Sequence, residues 1–292
     1  MTDGELRIEW RADGATVDVG VSRRGTGPTV LLLPALSSMS TRREMTPLQE
    51  RLGDHITTVA VDWPGFGDAP RPRVDWRPEL YRLFVDHVRE RFRPVATVAA
   101  GHAAGYAIAA ERSHPGGLGR LCLLSPTWRG PFPTMAGRRL RAFRWLARSV
   151  DLPIAGPVLY RMNVNGPVVR MMTRGHVYED PDWLAGDRLA QKRAVTDAPG
   201  ARHAAFRFVT GELDPFADET AFLAAAAQLR TSVLVIYAQA APRKSKRAMI
   251  ALAERDGVRG VELPRGKLSF YEEFPHETAA VVRPFLSDAS AA

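Results

Sequence analysis

The chain has 292 residues, 45% of them hydrophobic, with 40 Lys plus Arg against 32 Asp plus Glu and a formal net charge of +8. That is enough apolar content for one large α/β domain or two small ones around a sizeable core, so a soluble globular protein is expected. The opening M-T-D-G-E-L-R-I-E-W has charges where a secretory signal needs an apolar core, and no stretch approaches about 18 apolar residues. Neither a signal peptide nor a membrane span is expected, and the expected location is the cytoplasm.

The single cysteine, Cys122 in L-C-L-L, reads as core filler. The seven histidines are scattered without ligand spacing, and the glycines form neither a P-loop nor a dinucleotide fingerprint, so no metal and no cofactor are expected. Positive charge alone attracts phosphate. Here it is spread through the chain, and specific nucleic-acid binding is not expected. Two basic clusters stand out, Gly137 to Arg148 and Pro242 to Arg247, both read first as solvated surface. The first carries Leu140, Phe143, Trp145 and Leu146 among its arginines, which keeps peripheral membrane contact through 137–148, or an acidic ligand, open as the other reading.

In chain order, Leu6 to Trp10 and Ala15 to Val21 flank A-D-G and predict a hairpin. Pro28 to Pro34 is a continuous apolar run of the kind buried on both faces. A helix is expected over Arg43 to Leu52, a strand over His55 to Asp62, and a helix over Pro78 to Phe92. Strand Val95 to Ala100 leads into a small-residue helix from Ala103 to about Glu111, and Leu121 to Ser125 is the next strand. This alternation predicts a mostly parallel sheet with helices on both sides. It stops between about Pro126 and Gln228, a helical stretch rich in Arg, Met and Pro. Strands resume at Thr231 to Tyr237 and Gly257 to Pro264, with helices around Lys244 to Arg255 and His276 to Leu286. One domain is expected, with a core of residues 1–125 and 229–292 and a helical cap of residues 126–228 inserted in it.

The order of elements and five motifs together resemble the α/β-hydrolase superfamily over nearly the whole chain: L-L-L-P-A after the third strand, D-W-P-G-F-G from Asp62 to Gly67, the elbow G-H-A-A-G from Gly101 to Gly105, the inserted cap, and two late strands followed by loops. The resemblance implies that fold, a mostly parallel central sheet with a helical cap insertion, although a fold does not by itself fix a function. It also implies where a Ser-His-Asp triad would sit. The nucleophile slot is Ala103, the acid slot falls at or near Ala241 in A-Q-A-A-P, and the histidine slot falls on Lys267 in R-G-K-L-S. All three are non-matching, and an alanine has no lone pair with which to attack.

Backbone N–H groups of Ala35 and Ala104 remain as oxyanion-type donors, since such a donor needs no side chain. Lys267 and His102 are the candidate catalytic groups: a buried lysine can act as a base or anchor a carboxylate, and an imidazole moves protons near neutral pH. Each also has an ordinary reading, as a loop lysine and as a residue packed beside the elbow. Ser37, Ser38, Asp62 and Tyr271 are expected in a ligand pocket; the serines could equally cap the helix that follows, and Asp62 could brace its turn. The methionines of the inserted stretch favour a small hydrophobic ligand, with an acidic group if a cation anchors it. Two functions stay nearly level: a non-hydrolytic enzyme of lyase, cyclase, isomerase or cofactor-free type, and a non-catalytic ligand-binding scaffold. An atypical hydrolase ranks third. Oligomeric state and the ligand's identity are left open by the sequence.

Overall fold

The computed structural model describes residues 4–290. Its first two strands, β1 (Gly4–Ala12) and β2 (Ala15–Arg24), pair antiparallel around Asp13 and Gly14, both at positive φ, 46° and 80°. Two left-handed residues give the tight turn whose twist matches that of the strands. Then follow β3 (Thr29–Leu33), β4 (Thr57–Val61), α2 (Pro78–Phe92), β5 (Ala96–Ala100), α3 (Ala103–Ser113) and β6 (Arg120–Leu124). After the long helical stretch come β7 (Val233–Ala238), α11 (Arg243–Ala253), β8 (Val258–Leu263), α12 (Phe270–Glu273) and α13 (Pro275–Ser290). The eight strands form one sheet in the order β1-β2-β4-β3-β5-β6-β7-β8, with β3 through β8 parallel and the opening hairpin antiparallel.

Strands β3, β4, β5 and β6 are buried nearly throughout, as continuous apolar runs must be when helices cover both faces. On one side Trp63, Tyr81, Phe84 and Tyr106 pack ring against ring with centroids 5.5 to 6.0 Å apart. The Trp63 indole N–H donates to Pro34 O at 2.8 Å and the Tyr81 hydroxyl to Pro64 O at 3.1 Å, so these large rings bury their polar atoms with partners.

The helix expected from Arg43 to Leu52 is divided. A 3-10 turn spans Arg42–Met45 and only then does α1 (Thr46–Leu52) begin. The reason is Pro47: in an α-helix running from Arg43 its missing N–H would fall inside the ladder, whereas as second residue of α1 it costs nothing. The N-cap is Thr41, whose Oγ1 accepts from Arg43 N at 3.2 Å; the serines before it do not cap. The short α12 was not anticipated.

Between β6 and β7 the chain forms α4 (Pro131–Ala136), α5 (Arg141–Ser149), α6 (Ala155–Val164), α7 (Gly166–Met172), a π-helical turn (Thr173–Val177), α8 (Gly186–Asp197), α9 (Ala201–Thr210) and α10 (Glu219–Ala226). The breaks follow Gly, Pro and Asn: the Asn165 side chain caps α7 through Val168 N at 3.0 Å, and α9 starts and ends at left-handed Gly200 and Gly211. The last of these helices, α10, packs on α3, and its Phe222 and Ala225 are fully buried in the same cluster as Tyr106 and Ile108. It belongs to the layer that covers the sheet. Among the described residues, no helix is long and apolar enough to cross a membrane.

Candidate functional site

The loops at the carboxyl ends of β3, β5 and β8 build the site. At the end of β5 the chain turns sharply into α3 through Gly101, at φ 54°, which only glycine adopts without cost. Ala103 opens α3 and is fully buried. It is not among the described non-glycine residues at positive φ, which are Asp13, Arg93 and Ser125. A nucleophile elbow thrusts its side chain out by straining that residue's backbone. Here the left-handed turn is two residues earlier, at a glycine, and Ala103 lies relaxed in the helix. The N–H of Ala104 accordingly closes the first turn onto Gly101 O at 3.2 Å.

Ala35 follows β3 and touches the elbow: a Cβ added to Gly101 would lie 3.3 Å from that of Ala35. Its N–H is taken as well, donating to Glu44 Oε1 at 2.7 Å. The expectation that Ala35 and Ala104 stand ready for an incoming anion is therefore corrected. One N–H serves the helix, and the other already holds a carboxylate of the chain's own.

Glu44 reaches that place because the Pro47-imposed 3-10 turn points it inward, and it is nine-tenths or more buried. Its Oε1 also accepts from the Tyr271 hydroxyl at 2.8 Å. Its Oε2 lies 3.4 Å from Lys192 Nζ, which in turn lies 3.0 Å from Glu272 Oε2. The Tyr178 hydroxyl donates to Glu272 Oε1 at 2.8 Å, and its ring stacks on Trp183 at 4.1 Å. So α8, the residues after the π turn and α12 meet the 3-10 turn in one buried polar cluster. Burial pushes the Glu44 carboxyl above its ordinary value, with Glu272 adding to the push and Lys192 and the two donated hydrogen bonds resisting it. Burial alone would lower the Lys192 ammonium; Glu272 and Glu44 outweigh it and hold the lysine above its usual value. Glu44, Lys192 and Glu272 border a cleft of about 890 Å³ whose wall also includes Met39, Arg43 and Trp183.

The other sequence-predicted residues lie apart from this cleft. His102 is buried, with Nε2 3.1 Å from Leu213 O and 3.4 Å from Asp214 Oδ1, and its ring is edge-on to Phe208. Burial pushes its pKa down to about 4, so near neutral pH it is uncharged and Nε2–H donates to the Leu213 carbonyl. Asp214 beside it is pushed up to about 7 by burial, against the Arg139 guanidinium and Gly130 N. Lys267 is half-buried in the loop after β8, and its Nζ donates to Arg174 O at 2.6 Å. Ala241 is buried just past β7.

Of the two roles open to Asp62, its contacts are those of a brace: its Oδ1 accepts from Arg42 N and its Oδ2 from Arg42 Nη1, both at 2.5 Å. The same Arg42 also binds Glu5, and Asp68 at 2.7 Å, so the aspartate fixes the start of the 3-10 turn. Burial raises its pKa to about 6 despite the arginine. Ser37 Oγ pairs with Ser40 Oγ at 2.8 Å, while Ser38 Oγ is buried without a partner. Tyr271 belongs to the cluster as a donor to Glu44. The methionines expected to line an apolar pocket mostly do not: Met135, Met162 and Met171 are each more than half exposed.

Lys192, the cation shared by Glu44 and Glu272, carries no signal of this placement in the sequence. It sits in R-L-A-Q-K-R with no motif around it; composition alone sets it apart, since it is one of only four lysines in a chain that otherwise uses arginine.

A single mostly parallel sheet covered by helices, with an elbow after β5 and a helical stretch between β6 and β7, is the architecture of α/β hydrolases. The model of the family described as "Alpha/beta hydrolase family" matches residues 30–281, and the chain belongs to that family. Among curated proteins it is similar to 2-(acetamidomethylene)succinate hydrolase of Mesorhizobium japonicum, 32% identical over 108 residues, a stretch that spans 36% of this chain and 36% of the relative. Among solved structures it resembles a thermophilic esterase from Thermogutta terrifontis (TM-score 0.75, 16% identity, 98% of this chain and 99% of that one). It also resembles a putative ancestral haloalkane dehalogenase (TM-score 0.73, 18% identity, 98% and 100%). At such identities the structural likeness speaks for the fold.

Proposed function

We propose that this chain is a family member that does not carry out serine-type acyl transfer, and that it binds a small molecule in the cleft beside Glu44 and exchanges a proton with it there. The observation that carries the reading is the Glu44 carboxylate on Ala35 N–H, at the place where an acyl-transferring relative would need a free donor. Ala103, Ala241 and Lys267 in the three triad slots support the same reading, because the members of a triad work only as a unit. Glu44 suits proton exchange: burial raises its pKa and so makes its carboxylate a stronger base than one in water, and Lys192 and Tyr271 hold it in place. The wall of the cleft mixes Met39 and Trp183 with charged groups, which fits a ligand with an apolar body and an acidic or carbonyl oxygen facing Lys192. The reaction class is non-hydrolytic, of lyase, cyclase, isomerase or cofactor-free type.

One observation favours the second reading, a non-catalytic binding scaffold: both oxygens of Glu44 already have partners within the protein. The two readings separate on one experiment. Mass spectrometry of protein purified from its native host is expected to show a co-purifying small molecule that Glu44→Gln still binds but no longer converts and that Lys267→Ala handles unchanged. A co-purifying molecule that the parent protein binds and leaves unchanged would assign the protein to the scaffold class, and identical conversion by parent and Glu44→Gln would show that Glu44 is not the group that exchanges the proton.

A further inference from the structure

Residues 137–178 contain eight arginines against one acidic residue, Asp151, and so carry a formal +7 of the chain's +8. All eight arginines are exposed. The same segment holds most of the exposed large apolar side chains among the described residues: Trp145 at 72%, Leu152, Ile154 at 85%, Val158, Met162 and Met171. Ile154, Val158 and Met162 recur every fourth residue and form one stripe along α6, opposite its buried Gly156 and Tyr160. On α5, Trp145 stands among Arg141, Arg144 and Arg148, with Ala147 and Ser149 turned inward.

We infer that this face of α5, α6 and α7 is a docking surface for an anionic lipid membrane. Apolar side chains that project singly from short helices, ringed by arginines with long aliphatic stems, match an interface that is apolar a few ångströms down and negatively charged above. A nucleic acid would use the arginines and leave the apolar stripe wet. A second copy of the chain meeting the same helices would set their exposed arginines against one another. On this segment Arg139 pairs with Asp214 at 2.9 Å, Arg144 with Glu212 at 3.7 Å and Arg174 with Asp182 at 2.8 Å, which leaves Arg138, Arg141, Arg148, Arg161 and Arg170 as its outward charges. In the other basic cluster Lys246 is held by Glu262 at 2.8 Å, Arg247 by Glu219 at 3.1 Å and Lys244 by Met135 O at 2.7 Å, with no exposed apolar stripe beside them among the described residues. The inference does not rest on the reading of the Glu44 cleft.

The test is flotation of the full chain with vesicles of phosphatidylcholine alone or mixed with phosphatidylglycerol. Binding at least about tenfold stronger to the anionic vesicles is expected, weakening as salt rises. Ile154→Asp/Val158→Asp is expected to lose it, as is Arg141→Glu/Arg148→Glu/Arg170→Glu, both sets being exposed positions whose circular dichroism should match the parent. Trp145 fluorescence should shift to the blue on binding, and the shift should vanish in Trp145→Phe. Failure to float with anionic vesicles at low salt overturns the inference. So does unchanged flotation of the two multiple variants, or a loss in those variants of self-association or of binding to an acidic protein while vesicle binding persists.

Discussion

Arg42→Ala is expected to destabilise the protein by about 3–5 kcal/mol, read as a lower urea midpoint at neutral pH, because it strands the carboxylate of Asp62 in the interior. The Asp62 side chain is 1% exposed and Arg42 is its cationic partner, so truncating the arginine removes the attraction and leaves the desolvation penalty behind. The pH dependence has a definite sign. The folded pKa of Asp62 is already raised to about 6 from the ordinary 3.8, and losing Arg42 raises it further. A carboxyl raised in the folded state stabilises when protonated, and that contribution is lost as pH rises through the folded value. The deficit of Arg42→Ala should thus be larger at roughly pH 8 than at roughly pH 5. Adding Asp62→Asn should recover part of it, whereas equal deficits with and without that second change would show that Asp62 is not the group being stranded.

Lys192→Met is expected to have an effect of the same order, about 3–5 kcal/mol, since it leaves the buried Glu44 and Glu272 facing each other without their shared cation. Glu44 would then hold its proton more firmly than it does now, with its carboxyl already above the ordinary value through burial. By the same sign rule the penalty grows as pH climbs from roughly 5 to 8, and the double variant Lys192→Met/Glu44→Gln should be less pH-dependent than Lys192→Met alone. Methionine keeps much of the lysine's volume, so a large loss at high pH reports charge rather than packing. A penalty that did not change with pH would mean that Lys192 matters for its bulk.

The sheet was legible because its signals are local. Continuous apolar runs such as Leu31 to Leu33 and Leu121 to Leu124 read as doubly buried strands from sequence alone, and D-G at residues 13 and 14 marked the hairpin turn. The division at Pro47 was legible in principle, since proline's missing N–H is a property of one residue. The site was not legible, for a different reason. Glu44, Lys192, Tyr178, Tyr271 and Glu272 come from segments spread over more than 200 residues of chain, each unremarkable where it stands, and only the packing of α8 and α12 on the 3-10 turn makes them neighbours. The elbow misled in the same way. G-H-A-A-G keeps the glycines of the turn, but which residue takes the left-handed conformation, and whether Ala104 N–H is free, are decided by how α3 begins.

On the proposed reading, Glu44 fills the donor site beside an elbow that holds only a methyl group. The most direct measurement is labelling of the native, full-length protein by a fluorophosphonate probe, followed by peptide mapping. No labelled residue in the cleft is expected, and none in Glu44→Gln either, because removing that charge supplies no nucleophile. Stoichiometric labelling of Ser37, Ser38 or any other serine near the elbow, blocked by prior denaturation, would contradict the account.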